Sequence, residues 1–265
     1  MLARLGIPME RYWKELPSDV DMFDYANDFV ATTLLHDVPV INENREVVWS
    51  SLEEPYFRPA LELLVAGLIS GQGPLGSRTL ATHFAASIVD HLVMGWNALM
   101  LSYLRVASTL SRHVAEAAIF QAASVFTPDK FSATWEDGHA MGGWVLREAA
   151  PAFSADLRED LQASWKLVVS FGHVNPGTVW LSKLHGNVVG EPTRHAVTFD
   201  GPHNGPLRKD ALVHMAMIFT ALAESALRTF AVSFSERLDQ KWSSAFAVRQ
   251  KLVMARRNAE SHTSK

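Results

Sequence analysis

Thr79-Leu-Ala-Thr-His-Phe-Ala-Ala-Ser-Ile-Val-Asp-His-Leu-Val-Met-Gly-Trp-Asn-Ala-Leu-Met-Leu-Ser-Tyr-Leu-Arg-Val-Ala-Ser-Thr-Leu-Ser-Arg-His-Val-Ala-Glu-Ala-Ala-Ile-Phe-Gln-Ala-Ala-Ser-Val-Phe126 runs without a proline. Plotted at about 100° per residue, its polar residues His83, Ser87, Asp90, His91, Arg105, Ser108, Thr109, Arg112 and Glu116 share one narrow stripe. Ile88, Leu92, Trp96, Leu99, Met100, Leu104 and Val114 are among those filling the other faces. A surface helix is apolar on a limited stripe and polar elsewhere. Here the proportions are inverted, which predicts helix buried on most sides. The ionisable stripe then faces either a thin strip of water or an internal polar site. One straight helix would be about 70 Å long, so a break near Gly95 or Ser108 is expected.

The flanking sequence is also mostly helical in pattern. Ser18-Asp-Val-Asp opens a helix through Leu35, with side-chain oxygens to cap the free amides. Val38–Val48 alternates loosely and predicts a short hairpin. Glu54-Pro55 starts a helix to Ile69, and Ser70-Gly-Gln-Gly-Pro-Leu-Gly-Ser77 forms a loop. Shorter helical segments follow near 128–136, 139–150 and 154–171. Long ones are expected over 207–238 and 240–258. The glycine- and proline-punctuated stretch 186–206 reads as two small strands or an irregular loop. These observations predict an all-α multi-helix bundle with two long central helices and a small β or irregular excursion. The expected organisation is one helical domain over 1–265, with a flexible tail from 259.

Composition narrows the function classes. The 265 residues are 48% hydrophobic and 20% charged, as in ordinary globular proteins. A net charge of -4 disfavours broad electrostatic binding of nucleic acid, leaving local basic patches. With no cysteine, disulfides, thiol catalysis and thiolate zinc sites are excluded. No secretory signal is visible, and the weakly charged stretches 92–104 and 215–223 fall short of the roughly 20 residues that span a bilayer. A soluble, cytoplasmic protein without a membrane segment is the expectation.

The 207–238 region repeats the polar stripe with Asp210, His214, Ser225, Arg228 and Glu236, and with Glu224 at its edge. Two such helices facing each other would line a pocket, making Arg105, Glu224 and Arg228 candidate ligand-binding residues. The competing reading is that these charges form structural ion pairs or meet solvent. Glu224 and Arg228, four apart, are placed to pair along their helix, as are Arg112 and Glu116. His113 points about 100° from Arg112 and is assigned to a hydrogen bond elsewhere.

Cofactor signals are weak, and none is expected. The glycine-rich loop lacks the Lys-Ser/Thr ending of a P-loop, and no Gly-x-Ser-x-Gly elbow occurs. Eleven histidines keep a histidine/carboxylate metal enzyme as a third reading. Glu136-Asp-Gly-His139 has a Glu-x-x-His spacing, but a di-iron bundle needs two such motifs.

Leu110-Ser-Arg-His-Val-Ala-Glu-Ala-Ala-Ile119 resembles a run in helical HEPN-like proteins of microbes, where Arg-x-x-x-Glu sits in an alanine-rich helix. Trp165-Lys-Leu-Val-Val-Ser-Phe-Gly-His-Val-Asn-Pro176 is similar to their aromatic–serine–histidine–proline element. The resemblance covers roughly residues 100–180. It implies a metal-independent ribonuclease, often dimeric, with RNA and a second copy as partners. An Arg-x(4–6)-His motif would do the chemistry, arginine stabilising charge on phosphate and histidine moving protons. Of Arg78/His83 and Arg208/His214, the second is preferred because it opens a long helix. Arg112, Glu116, His173, Arg208 and His214 are the candidate catalytic residues. A non-catalytic module that binds a small ligand or protein between its helices is the alternative.

Overall fold

The computed structural model describes residues 21–34, 39–70, 79–138, 141–169 and 209–263, and these are helical, with no strand. The fold is all-α. The excursion expected at 186–206 lies outside the described residues.

α1 (Met22–Thr33) begins at the anticipated cap, where the Asp21 carboxylate accepts from Phe23 N at 2.8 Å. That satisfies one of the helix's orphan amides. α2 (Pro39–Val48) stands where the hairpin was expected. It buries Ile41, Asn44 and Val48, a spacing of three and four that belongs to a helix face and not to a strand. Valine and isoleucine favour strands only weakly, and burial decides their conformation.

The chain next widens into a π-helical stretch, Trp49–Phe57, and continues as α3 (Arg58–Ser70). Arg58 N donates to Glu53 O, the i→i−5 bond of the wider turn. Pro55, expected to open a helix, lies inside this stretch. Glu53 is completely buried there.

The long apolar sequence folds as two helices, α4 (Thr79–Met100) and α5 (Leu104–Phe126). The break falls at 101–103 and not at Gly95 or Ser108. Ser102 adopts a left-handed φ of 66°, and its amide donates to Leu99 O at 3.0 Å while Tyr103 N reaches Ala98 O at 2.8 Å. This pair of bonds is a Schellman stop, usually built on glycine. Buried Asn44 completes it by donating to Met100 O at 2.8 Å and to Ser102 Oγ at 3.3 Å. α5 then folds back along α4: Phe84 meets Phe120, His91 meets His113, and Gly95 lies beside Leu110. The pairs climb one helix as they descend the other, so the hairpin is antiparallel. Gly95 marks a close contact: a Cβ there would lie 2.4 Å from the Phe219 ring.

α6 (Pro128–Glu136), α7 (Gly142–Ala149) and α8 (Ala155–Val168, capped by Ser154) cover the α5 side of this hairpin. α9 (Lys209–Ser233) packs on α2, α3, α4, α5, α8 and the π stretch. By length and composition it could cross a membrane, but 72% of its most apolar window is buried inside the bundle. Core packing accounts for that apolarity. Leu212, Met215, Phe219, Leu222, Leu227 and Phe230 are enclosed, each stabilising the fold by about 1.5–3 kcal/mol. α10 (Gln240–Thr263) runs past the expected end at Asn258.

Candidate functional site

The polar stripe of the hairpin faces water. His83, Asp90, Arg105, Thr109 and His113 are exposed, and Ser87, His91, Arg112 and Glu116 are partly buried. Ser108 is buried, its hydroxyl donating to Arg105 O at 2.8 Å. Of the two expectations, the strip of water holds and the internal polar site does not.

The antiparallel register brings two imidazoles together on this ridge. His91 of α4 and His113 of α5 meet edge to face, with ring centroids 5.3 Å apart. His91 Nδ1 lies 2.6 Å from Ser87 O. A carbonyl only accepts, so this geometry puts the proton on Nδ1 and leaves Nε2 as the acceptor in the neutral ring. Partial burial, and then the facing His91, hold the His113 imidazole below the usual histidine range; Arg112 adds to this and Glu116 opposes it. The adjoining Asp90 carboxyl is pushed above its ordinary value by loss of water, against the opposing pull of His91. His113, set aside from the sequence as bonded elsewhere, is therefore part of the cluster. Only the position of the break between α4 and α5 could have revealed this, because it sets which residues face each other.

Arg112 and Glu116 sit at the same place. The Arg112 guanidinium lies over the Trp165 ring of α8 at 5.5 Å. Glu116 Oε1 accepts from Gly142 N at 2.8 Å, placing a carboxylate at the N-terminus of α7, where the helix dipole favours it. Gly142 permits this approach: a Cβ would come 3.0 Å from both Glu116 and the Trp165 ring. Glu116 thus holds α7 against α5.

The other candidates do not join them. Glu224 and Arg228 were expected to pair with each other, yet each turns to a different helix. Arg249 of α10 binds Glu224 in a buried ion pair and also donates to Tyr56 O at 2.6 Å. Arg228 grips Asp160 of α8 through two bonds, the longer 2.9 Å. These charges tie α9 to its neighbours, so for Glu224 and Arg228 the reading as structural ion pairs holds over that of a shared pocket. Arg105 is exposed on α5, and His214 is exposed on α9. His173, Arg208 and His139 lie outside the described residues. Among the described residues, no three histidine or carboxylate side chains are grouped to hold a metal.

No family model, no curated protein and no solved structure matches this chain.

Proposed function

We propose that the protein acts on RNA, as its HEPN resemblance implies, through the ridge formed by His91, Arg112 and His113. The observation that carries this reading is the edge-to-face pair of imidazoles, set beside an arginine on a water-facing surface. Metal-independent cleavage of RNA needs a base, an acid and a cation in reach of one phosphate. In this reading neutral His113 takes the proton from a ribose 2′-hydroxyl. The 2′-oxygen attacks the adjacent phosphorus and the bond to the 5′-oxygen breaks. Protonated His91 returns a proton from Nε2 to the leaving oxygen, yielding a 2′,3′-cyclic phosphate and a 5′-hydroxyl. Arg112 stabilises the extra negative charge on phosphorus. Trp165 carries the Arg112 guanidinium over its ring and so fixes where that charge sits.

Glu116 serves this reading as a positioning residue, and Arg105 supplies a further positive charge on the same helix. A cytoplasmic setting and the homodimer implied by the resemblance remain part of the proposal. The test is cleavage of single-stranded RNA in EDTA at low salt by the full chain. His91→Ala and His113→Ala should each lower the rate by about 10²-fold or more while helical content is unchanged. RNA bound but uncut would leave a binding module. RNA neither cut nor bound at low salt would end the reading.

A further inference from the structure

Two imidazoles with centroids 5.3 Å apart repel each other when both are charged. Among the described residues, the other charges that act on His113 are those of Arg112 and Glu116 on α5. Asp90 on α4 lies within electrostatic reach of His91. α7 contributes the Gly142 amide that holds Glu116, and α8 the uncharged Trp165 ring under Arg112.

These groups set a balance. With both rings neutral, Arg112 faces two carboxylates and the ridge is acidic. One proton on the pair neutralises it. A second proton makes it a cation, and burial, His91 and Arg112 all oppose that second proton. A bound anion removes the repulsive part of this cost. An RNA phosphodiester carries one negative charge and suits the singly protonated pair, the form used in the cleavage reading above. A phosphate monoester or free phosphate carries up to about two near pH 7, enough to face two imidazoliums.

We propose that the ridge binds a dianionic phosphate group together with one additional proton, and that this complex is inactive. The proton comes from solvent. His91 and His113 each donate to the anion, and Arg112 supplies the third cation. Neither ring is then left as a base, so cleavage of a diester stops. The inhibition rests on the cleavage reading, whereas binding and proton uptake stand on the charges alone.

Sulfate is the probe, because it stays dianionic as pH changes and any proton taken up belongs to the protein. Its affinity for the full chain, measured by calorimetry at constant ionic strength, should fall by about tenfold per pH unit above the His113 midpoint. His113→Gln should remove that slope, with circular dichroism checking the fold. In the unaltered chain, sulfate added at fixed pH should move the His113 ring signal toward its protonated position, an NMR readout that needs no variant. Affinity that stays constant between about pH 8 and 5, or a slope that survives His113→Gln, would overturn the proposal. Inorganic phosphate and a dinucleotide with a terminal phosphate, compared in the same assay, separate the free ion from an RNA end. RNA left uncut while sulfate binds with proton uptake would end the ribonuclease reading and keep the anion site. RNA cut at one rate with and without saturating sulfate would keep that reading and overturn the inactive complex.

Discussion

Trp96 donates through Nε1 to Glu53 Oε2 at 2.9 Å, joining the C-terminal end of α4 to a carboxylate that is 0% exposed. Arg45 of α2 binds the same carboxylate and lies 4.4 Å over the Trp49 ring. The π stretch therefore carries a charge into the core, and α2 supplies its counter-ion. A buried ion is tolerated only when paired and hydrogen-bonded. Glu53→Leu or Arg45→Met alone should destabilise the protein by about 3–5 kcal/mol, since each strands the partner. The double variant Arg45→Met/Glu53→Leu should recover much of that loss. Urea unfolding of the four proteins measures the coupling, and simple additivity would contradict it.

Asn44 closes the stop between α4 and α5 from a distant part of the chain. Its amide is the buried donor to Met100 O. Asn44→Ala should cost about 1–3 kcal/mol, the usual penalty for a buried carbonyl left without its donor. Amide hydrogen exchange should show the loss first around Leu101–Tyr103.

Glu116 separates a structural carboxylate from a catalytic one. Glu116→Gln keeps an acceptor for Gly142 N and loses only the charge at the α7 terminus, about 0.3–1 kcal/mol. Glu116→Ala removes both and should cost about 0.5–2 kcal/mol. Any RNA cleavage should survive Glu116→Gln nearly unchanged. A collapse of rate with an intact fold would make Glu116 a chemical participant.

His113 sets a direction for pH dependence. Its imidazole is held below the ordinary histidine value of about 6.5, first by burial and then by His91. The unfolded chain therefore binds the proton more readily, and stability rises with pH in this window. The contribution is fully present above 6.5 and is lost as pH falls through 6.5 toward the lower folded value. His113→Gln should flatten the slope of unfolding free energy between roughly pH 7 and 5. NMR titration of the His113 ring gives the folded midpoint directly, and a midpoint above that of a model histidine would reverse the sign.

Helices were legible wherever periodicity and caps agreed. Asp21 and Ser154 cap α1 and α8, both within sequences read as helix starts. α2 looks like a hairpin in sequence because the apolar pairs Val40-Ile41 and Val47-Val48 flank a polar run that contains Asn42 and Asn44, while its buried face, Ile41, Asn44 and Val48, has a period near 3.6. The break at Ser102 carried no glycine or proline to announce it. It depends on Asn44, which sits far away in the sequence and meets it only in the fold. Partners of Glu224 and Arg228 were misassigned for a related reason. Spacing along one helix shows what two side chains can do together, but packing turned each toward a different neighbour.

By itself, the sequence determined that this protein is helical and that the stretch from Thr79 to Phe126 is apolar around most of its circumference. Those properties are local, set by hydrophobic period and capping chemistry. Tertiary structure alone decided that the stretch doubles back, which polar groups meet, and which of them become ties between helices. Side-chain partnership depends on the register between elements, and a three-residue turn closed by Asn44 sets that register here. That register places His113 against His91.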